Sequence, residues 1–180
     1  MINEFSARVK NSNNNARVAF IAFLVAGGAT VLAYSIIPNY KGVVGLVAVA
    51  LLTAAVLVYT RYMAPIYFYE ITHDYEGTPI FVVRQVIGRR ETTLARITLA
   101  DITSVDVEGR EERKNHKTDY GTKKYTYTPS LGPEITCRIT SKSRYERSEI
   151  TVEAGEDFAT MLRSYVGEAR RLRIAEYDDE

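Results

Sequence analysis

Apolar positions follow two different regimes along this chain. Val18 to Ile37 and Gly42 to Thr60 are unbroken apolar runs without a single Asp, Glu, Lys, Arg or His, parted only by Pro38-Asn39-Tyr40-Lys41. Each approaches the ~20 residues a helix needs to cross a bilayer core, so the pattern predicts a two-helix transmembrane hairpin over 18–37 and 42–60. Beyond Pro65 short strand-like runs alternate with turn residues: Ile66 to His73, Pro79 to Ile87, Thr92 to Leu99, Ile102 to Glu108, Lys123 to Thr128, Glu134 to Ser141 and Ser148 to Glu153. Ile135, Cys137 and Ile139 share one strand face, as do Ile150 and Val152, and these faces are expected to line a core. The period then changes. Phe158, Met161, Leu162, Tyr165, Ala169 and Leu172 mark one face of a helix from about Glu156 to Arg173. Its acidic start (Glu156, Asp157) and basic end (Arg170, Arg171, Arg173) complement the helix dipole.

This order divides the chain into a cytoplasmic N-terminal segment (1–17), the hairpin (18–60), one β-rich domain (66–173), expected to fold without the hairpin, and an acidic tail (174–180). The first apolar run exceeds the ~7–15 residues of a signal-peptide core and a second follows at once, which favours retention of both. Arg8, Lys10 and Arg17 precede the hairpin and Arg61 follows it, against Lys41 alone in the turn. Positive charge flanking both outer ends predicts a multi-pass cell-membrane protein with both termini in the cytoplasm. Small residues recur at helical spacing in the spans: Ala22, Ala26, Thr30 and Ala33 in the first, Gly45, Ala50 and Ala54 in the second. Such rows let membrane helices approach closely. Packing between the two spans is favoured over a homo-oligomer interface, and both uses stay open.

Seven strands followed by one C-terminal helix is the order of the pleckstrin-homology fold. The stretch from Ile80 to Arg90, with Gly88 at a turn, followed by Ile97-Thr98-Leu99-Ala100-Asp101-Ile102-Thr103-Ser104-Val105, resembles the bacterial PH-like domains of membrane-anchored proteins. The resemblance implies an α+β domain, a seven-stranded antiparallel barrel or sandwich closed by a helix, with lipid or protein binding as its usual role. Phosphoinositide-binding members carry basic residues between their first two strands. The corresponding Asp74-Tyr75-Glu76-Gly77-Thr78 is acidic, which argues against that specificity.

Candidate chemistry adds little. His73 and His116 stand alone, Cys137 lies on an inward strand face, and phosphate-loop, dinucleotide and nucleophile-elbow motifs are missing from the sequence. No catalytic residue, metal or cofactor is expected, and a net charge of +1 disfavours nucleic acid as a partner. Arg84, Arg89 and Arg90, on and after the second strand, are read as solvated strand-edge charges in preference to headgroup contacts. The other basic concentration is segment 110–124, where Arg110, Arg113, Lys114, Lys117, Lys123 and Lys124 stand against Glu111, Glu112 and Asp119. These six cations are the candidates for lipid headgroups; the alternative is a solvated mixed-charge loop. The sequence therefore predicts a membrane-anchored, non-enzymatic module that binds a protein or peptide partner at the cytoplasmic face, with the groove between helix and strands as the docking place. Anionic-lipid sensing through 110–124, or an accessory role in a larger membrane complex through the hairpin, are the alternatives.

Overall fold

The computed structural model describes residues 4–9, 14–36, 41–115, 120–143 and 146–178. The elements are β1 (Phe5–Val9), α1 (Asn15–Ile36), α2 (Lys41–Val58), β2 (Pro65–His73), β3 (Pro79–Ile87), β4 (Arg90–Thr98), β5 (Ile102–Gly109), α3 (Arg110–Asn115), β6 (Thr122–Tyr127), β7 (Ile135–Lys142), β8 (Arg147–Val152) and α4 (Glu156–Asp178). The chain forms two compact units, one of Met1–Lys10, Ile66–Thr128 and Gly132–Glu180, the other of Asn11–Pro65 with Pro129–Leu131.

In the helical unit, α1 and α2 pack together, and with the turn that extends α2 they are long and apolar enough to cross a membrane. Contact is closest at Gly27, where an added Cβ would lie 2.8 Å from Leu52 Cδ2. Most large apolar side chains point outward: Leu32 is 69 % and Leu46 72 % exposed. The last turn of the second helix, Tyr59–Met63, widens to a π-helix, with the Ala64 amide donating to Tyr59 O at 2.9 Å. Pro65, which has no N–H and a ring that crowds the preceding turn, ends it.

The β-rich unit contains two four-stranded sheets, ordered β1-β2-β3-β4 and β5-β7-β8-β6. Two features depart from the expected seven antiparallel strands. An eighth strand, β1, comes from the segment before the hairpin and pairs antiparallel with β2, Phe5 opposite Ile71 and Val9 opposite Tyr67. The segment read as 1–17 thus contributes to the domain. Second, β6 runs parallel to β8. Among the described residues the sheets do not close into a barrel. The β3–β4 hairpin turns on Gly88-Arg89, with Ile87 opposite Arg90. Gly88 has φ +61° and Arg89 a negative φ, the signature of a type II′ turn, whose twist suits a two-residue loop.

Tyr67, Tyr69, Ile71, Phe81 and Val83 from the first sheet and Cys137, Ile139, Ile150 and Val152 from the second meet Ala159, Leu162, Val166 and Ala169 of α4 in one core. Phe158 sits among Phe5, Tyr69 and Phe81, ring centroids 6.1–6.2 Å away. Tyr69 ties the sheets: its hydroxyl donates to Tyr127 O at 2.7 Å and accepts the Glu153 amide at 3.1 Å, and burial raises its pKa well above the phenol range. Ile135, expected inward, is 52 % exposed, since it opens β7 beyond the reach of the core. Leu172 is also exposed, and α4 continues past Arg173 into the segment read as a tail. Three arginines on α4 grip the region around β5: Arg163 Nε donates to Val105 O at 2.9 Å, Arg170 donates to Ile102 O, and Arg173 pairs with Asp101 at 2.9 Å. The helix thereby covers backbone that a bare edge strand would leave open.

Candidate functional site

Alternation along β2 and β3 sends Tyr69 and Phe81 into the core and turns Glu70, Thr72, Ile80, Val82 and Arg84 to the opposite face. There the sheet holds a cleft of about 430 Å³. Ile80 and Val82 form an apolar floor, both under 10 % exposed despite facing away from the core. At one end Arg84 pairs with Glu70 and, at 2.6 Å, with Glu91, while Ser6 of β1 donates to Glu70 at 3.0 Å. The bond to Glu70, more than the neighbouring charge, raises the Arg84 pKa. At the other end Arg96 holds Asp74 at 2.5 Å, and the Asp74 carbonyl accepts the Gly77 amide at 2.8 Å, which braces the turn carrying the fully exposed Tyr75. His73 completes that rim. Chemically this is an apolar strip between the Arg84–Glu70–Glu91 cluster and the Arg96–Asp74 pair, suited to an extended segment with an apolar side chain and polar ends. The expected groove between α4 and the strands is instead occupied by the Phe158 cluster and the buried face of α4. Sequence alone did not signal the cleft, because its floor residues read as ordinary core positions of β3.

The basic segment 110–124 is split by the fold. Gly109 and Glu112 start α3, the Glu112 carboxylate accepting the Gly109 amide at 2.9 Å as in a capping box. Arg113 turns inward and donates to Pro133 O at 2.9 Å and Thr136 Oγ1 at 3.3 Å. Lys114 pairs with Glu111 at 2.8 Å, Lys123 with Glu146 at 3.1 Å, and Lys124 lies 4.0 Å from Glu149. Glu146 raises the Lys123 pKa. Arg110 is exposed, and Lys117 lies outside the described residues. The order β5-β7-β8-β6 puts α3 after one edge strand and both lysines on the other, about 14 Å across the sheet. Register adds a second separation. Gly109 faces Ile135 at one end of β7, whereas Lys124 aligns through Glu149 with Thr140 near the other, roughly 16 Å along the strand. The candidate headgroup residues therefore form no single patch.

Among the proposed span-packing residues, Gly45 abuts Tyr34, 3.4 Å from where its Cβ would be, and Thr30, Ala33 and Ala54 are half-buried. The Thr30 hydroxyl is used within its own helix, donating to Gly27 O at 2.8 Å. Ala22, Ala26 and Ala50 are exposed, and the buried positions are Ala16, Gly27, Ala48 and Ala55. The contact stripe of α1 runs through Gly27, Thr30 and Ala33, so it departs from the row read in the sequence at Ala22 and Ala26. Cys137 is fully buried, and desolvation pushes its thiol up to about 12, so it stays protonated.

No family model matches the chain, and no curated protein or solved structure matches it.

Proposed function

We propose that this chain is a membrane-anchored, non-enzymatic PH-like module that holds a protein or peptide partner at the cytoplasmic face, with the cleft over Ile80 and Val82 as its docking place. The observation that carries the reading is β1: the strand before the hairpin pairs with the strand after it, so a single sheet draws on both ends of two helices whose large apolar side chains face outward. Helices this apolar are costly to leave in water. If they span a bilayer, β1 and β2 must lie on one side of it. Arg17 and Arg61 at the outer ends favour the cytoplasm. Seven strands and a closing helix after the hairpin support the PH-like reading, with β1 and the parallel β6–β8 pair as its departures. Paired cations and a split patch weigh against lipid sensing through 110–124, and an accessory role through the hairpin remains the second reading.

Two measurements test this. A cysteine at Tyr120, fully exposed, should resist a membrane-impermeant maleimide in intact cells and react after permeabilisation; reaction in intact cells overturns the topology. A photo-crosslinking residue at Tyr75 in the full chain should trap a partner in native membranes, and Thr93→Arg, which fills the cleft, should remove that adduct. An adduct indifferent to Thr93→Arg would take the docking place away from the cleft.

A further inference from the structure

The two ends of the first sheet carry opposite charge. Arg8 in β1 faces Phe68 near the start of β2, one residue before the chain leaves the sheet toward α1. The connection from β2 to β3 spans only 74–78, so the two strands run antiparallel, and Gln85 Nε2 donates to Tyr67 OH at 3.1 Å, which places the end of β3 beside the start of β2. The Gly88-Arg89 turn and Arg90 follow directly. Arg8, Arg89 and Arg90 therefore share the end of the sheet at which the chain departs for one apolar helix and arrives from the other. All three are exposed and have no ion pair among the described residues, since the nearby Glu70 and Glu91 are engaged by Arg84. At the far end stand Glu4, Asp74 and Glu76, and the arginine there, Arg96, is bound to Asp74. A nine-residue strand separates the ends by roughly 30 Å, several screening lengths at physiological salt, so each end acts as its own electrostatic surface.

We propose that Arg8, Arg89 and Arg90 form a contact surface for anionic phospholipid headgroups. The inference rests on the reading that α1 and α2 span a bilayer, because the chain then passes into both spans from that one end of the sheet. Guanidinium groups suit phosphate through paired N–H donors. The type II′ turn holds Arg89 at a hairpin tip, while Arg8 stands on the opposite side of β2, about 10–14 Å away by strand spacing. That span exceeds one headgroup, so the surface takes several lipids and selects charge over headgroup identity. It also relocates the lipid-facing charge from segment 110–124 to Arg8 and the Arg89-Arg90 pair, which strand pairing assembles.

The test uses the full chain in bilayers with a spin label at Ile87→Cys, Cys137 being left in place because it is buried. Relaxation is read with a nickel chelate tethered to lipid headgroups. In phosphatidylcholine containing a third phosphatidylglycerol, relaxation at Ile87→Cys should rise severalfold over pure phosphatidylcholine and fall in molar salt. Arg89→Gln should raise the anionic fraction needed for half-maximal contact about fivefold, and the triple variant Arg8→Gln, Arg89→Gln, Arg90→Gln should abolish contact. The Lys114→Gln, Lys123→Gln, Lys124→Gln variant should match wild type, and a label at Glu76→Cys should not respond. Relaxation at Ile87→Cys indifferent to anionic lipid, or lost only in the lysine variant, overturns the inference; so does an equal response to free inorganic phosphate in pure phosphatidylcholine, which would indicate an anion pocket. A label at Leu32→Cys separates the two readings. If it is lipid-shielded while Ile87→Cys fails, the headgroup surface alone is refuted, and if it is open to water the membrane reading falls first.

Discussion

Removing β1 should destabilise the β-rich unit even though every residue from β2 onward is retained. Phe5 and Val9 are each half-buried against the core, and Phe5 lies 6.1 Å from the Phe158 ring. Half of the ~1.5–3 kcal/mol for full burial gives about 2 kcal/mol for the two side chains, and the aromatic contact adds about 1 kcal/mol. Loss of the strand also bares the edge of β2, a template for association with other chains. The comparison is between residues 66–178 alone and the same residues joined through a short Gly-Ser linker to residues 4–9. A deficit of about 3 kcal/mol corresponds to a urea midpoint lower by roughly 1.5 M for an m-value near 2 kcal/mol/M. Circular dichroism during urea unfolding reads the midpoint, and sedimentation reads association. Equal midpoints, with both proteins monomeric, would refute the claim that β1 belongs to the core and restore the segment 1–17 as a mere leader to the hairpin.

Leu162 is fully buried, so Leu162→Ala should cost about 3 kcal/mol and lower Tm by on the order of 15 °C; wild-type melting would remove Leu162 as the anchor of α4. Gly27→Val should force α1 and α2 apart, because its Cβ would meet Leu52, whereas Gly28→Val meets nothing within 4 Å and should be neutral; distances between labels on the two helices decide this, and equal effects would discredit the packing described. The raised thiol of Cys137 predicts a pH dependence. Because the folded pKa is about 12 and the unfolded one about 8.5, the unfolded chain loses its proton first, and the stabilisation, intact below pH ~8.5, declines by roughly 1.4 kcal/mol per pH unit up to ~12. Tyr69, shifted in the same direction, adds to the decline above pH ~10. Urea midpoints measured from pH 7.5 to 10 should fall in wild type and stay flatter in Cys137→Ala; parallel curves would contradict the burial argument.

Local pattern carried whatever depends on the chain itself. The two apolar helices follow from charge-free runs of bilayer length, and the β3 bounds, Pro79 to Ile87, coincide with those read from alternation and the Gly88 turn. The buried positions Cys137, Ile139, Ile150, Val152 and Leu162 were equally legible, because burial of one face imposes a period of two or 3.6. What lay beyond reach depended on pairing between distant segments. Phe5, Ala7 and Val9 alternate with Ser6 and Arg8, but five residues make a weak signal, and their partner Tyr67–Ile71 lies some sixty positions away across the hairpin. Segment 110–124 reads as one basic cluster along the chain. Strand order and register alone send its two halves to opposite edges of a sheet, and the fold gives Arg113 a carbonyl partner and Lys123 a carboxylate. In the spans, a helix apolar on every side offers no amphipathic mark, so only the shape of the facing helix selects Gly27 over Ala26. The cleft and the basic end of the first sheet are of the same kind. Charge and hydropathy are properties of residues, but which charges find partners and which apolar side chains stay uncovered is decided by the strands that happen to lie beside them.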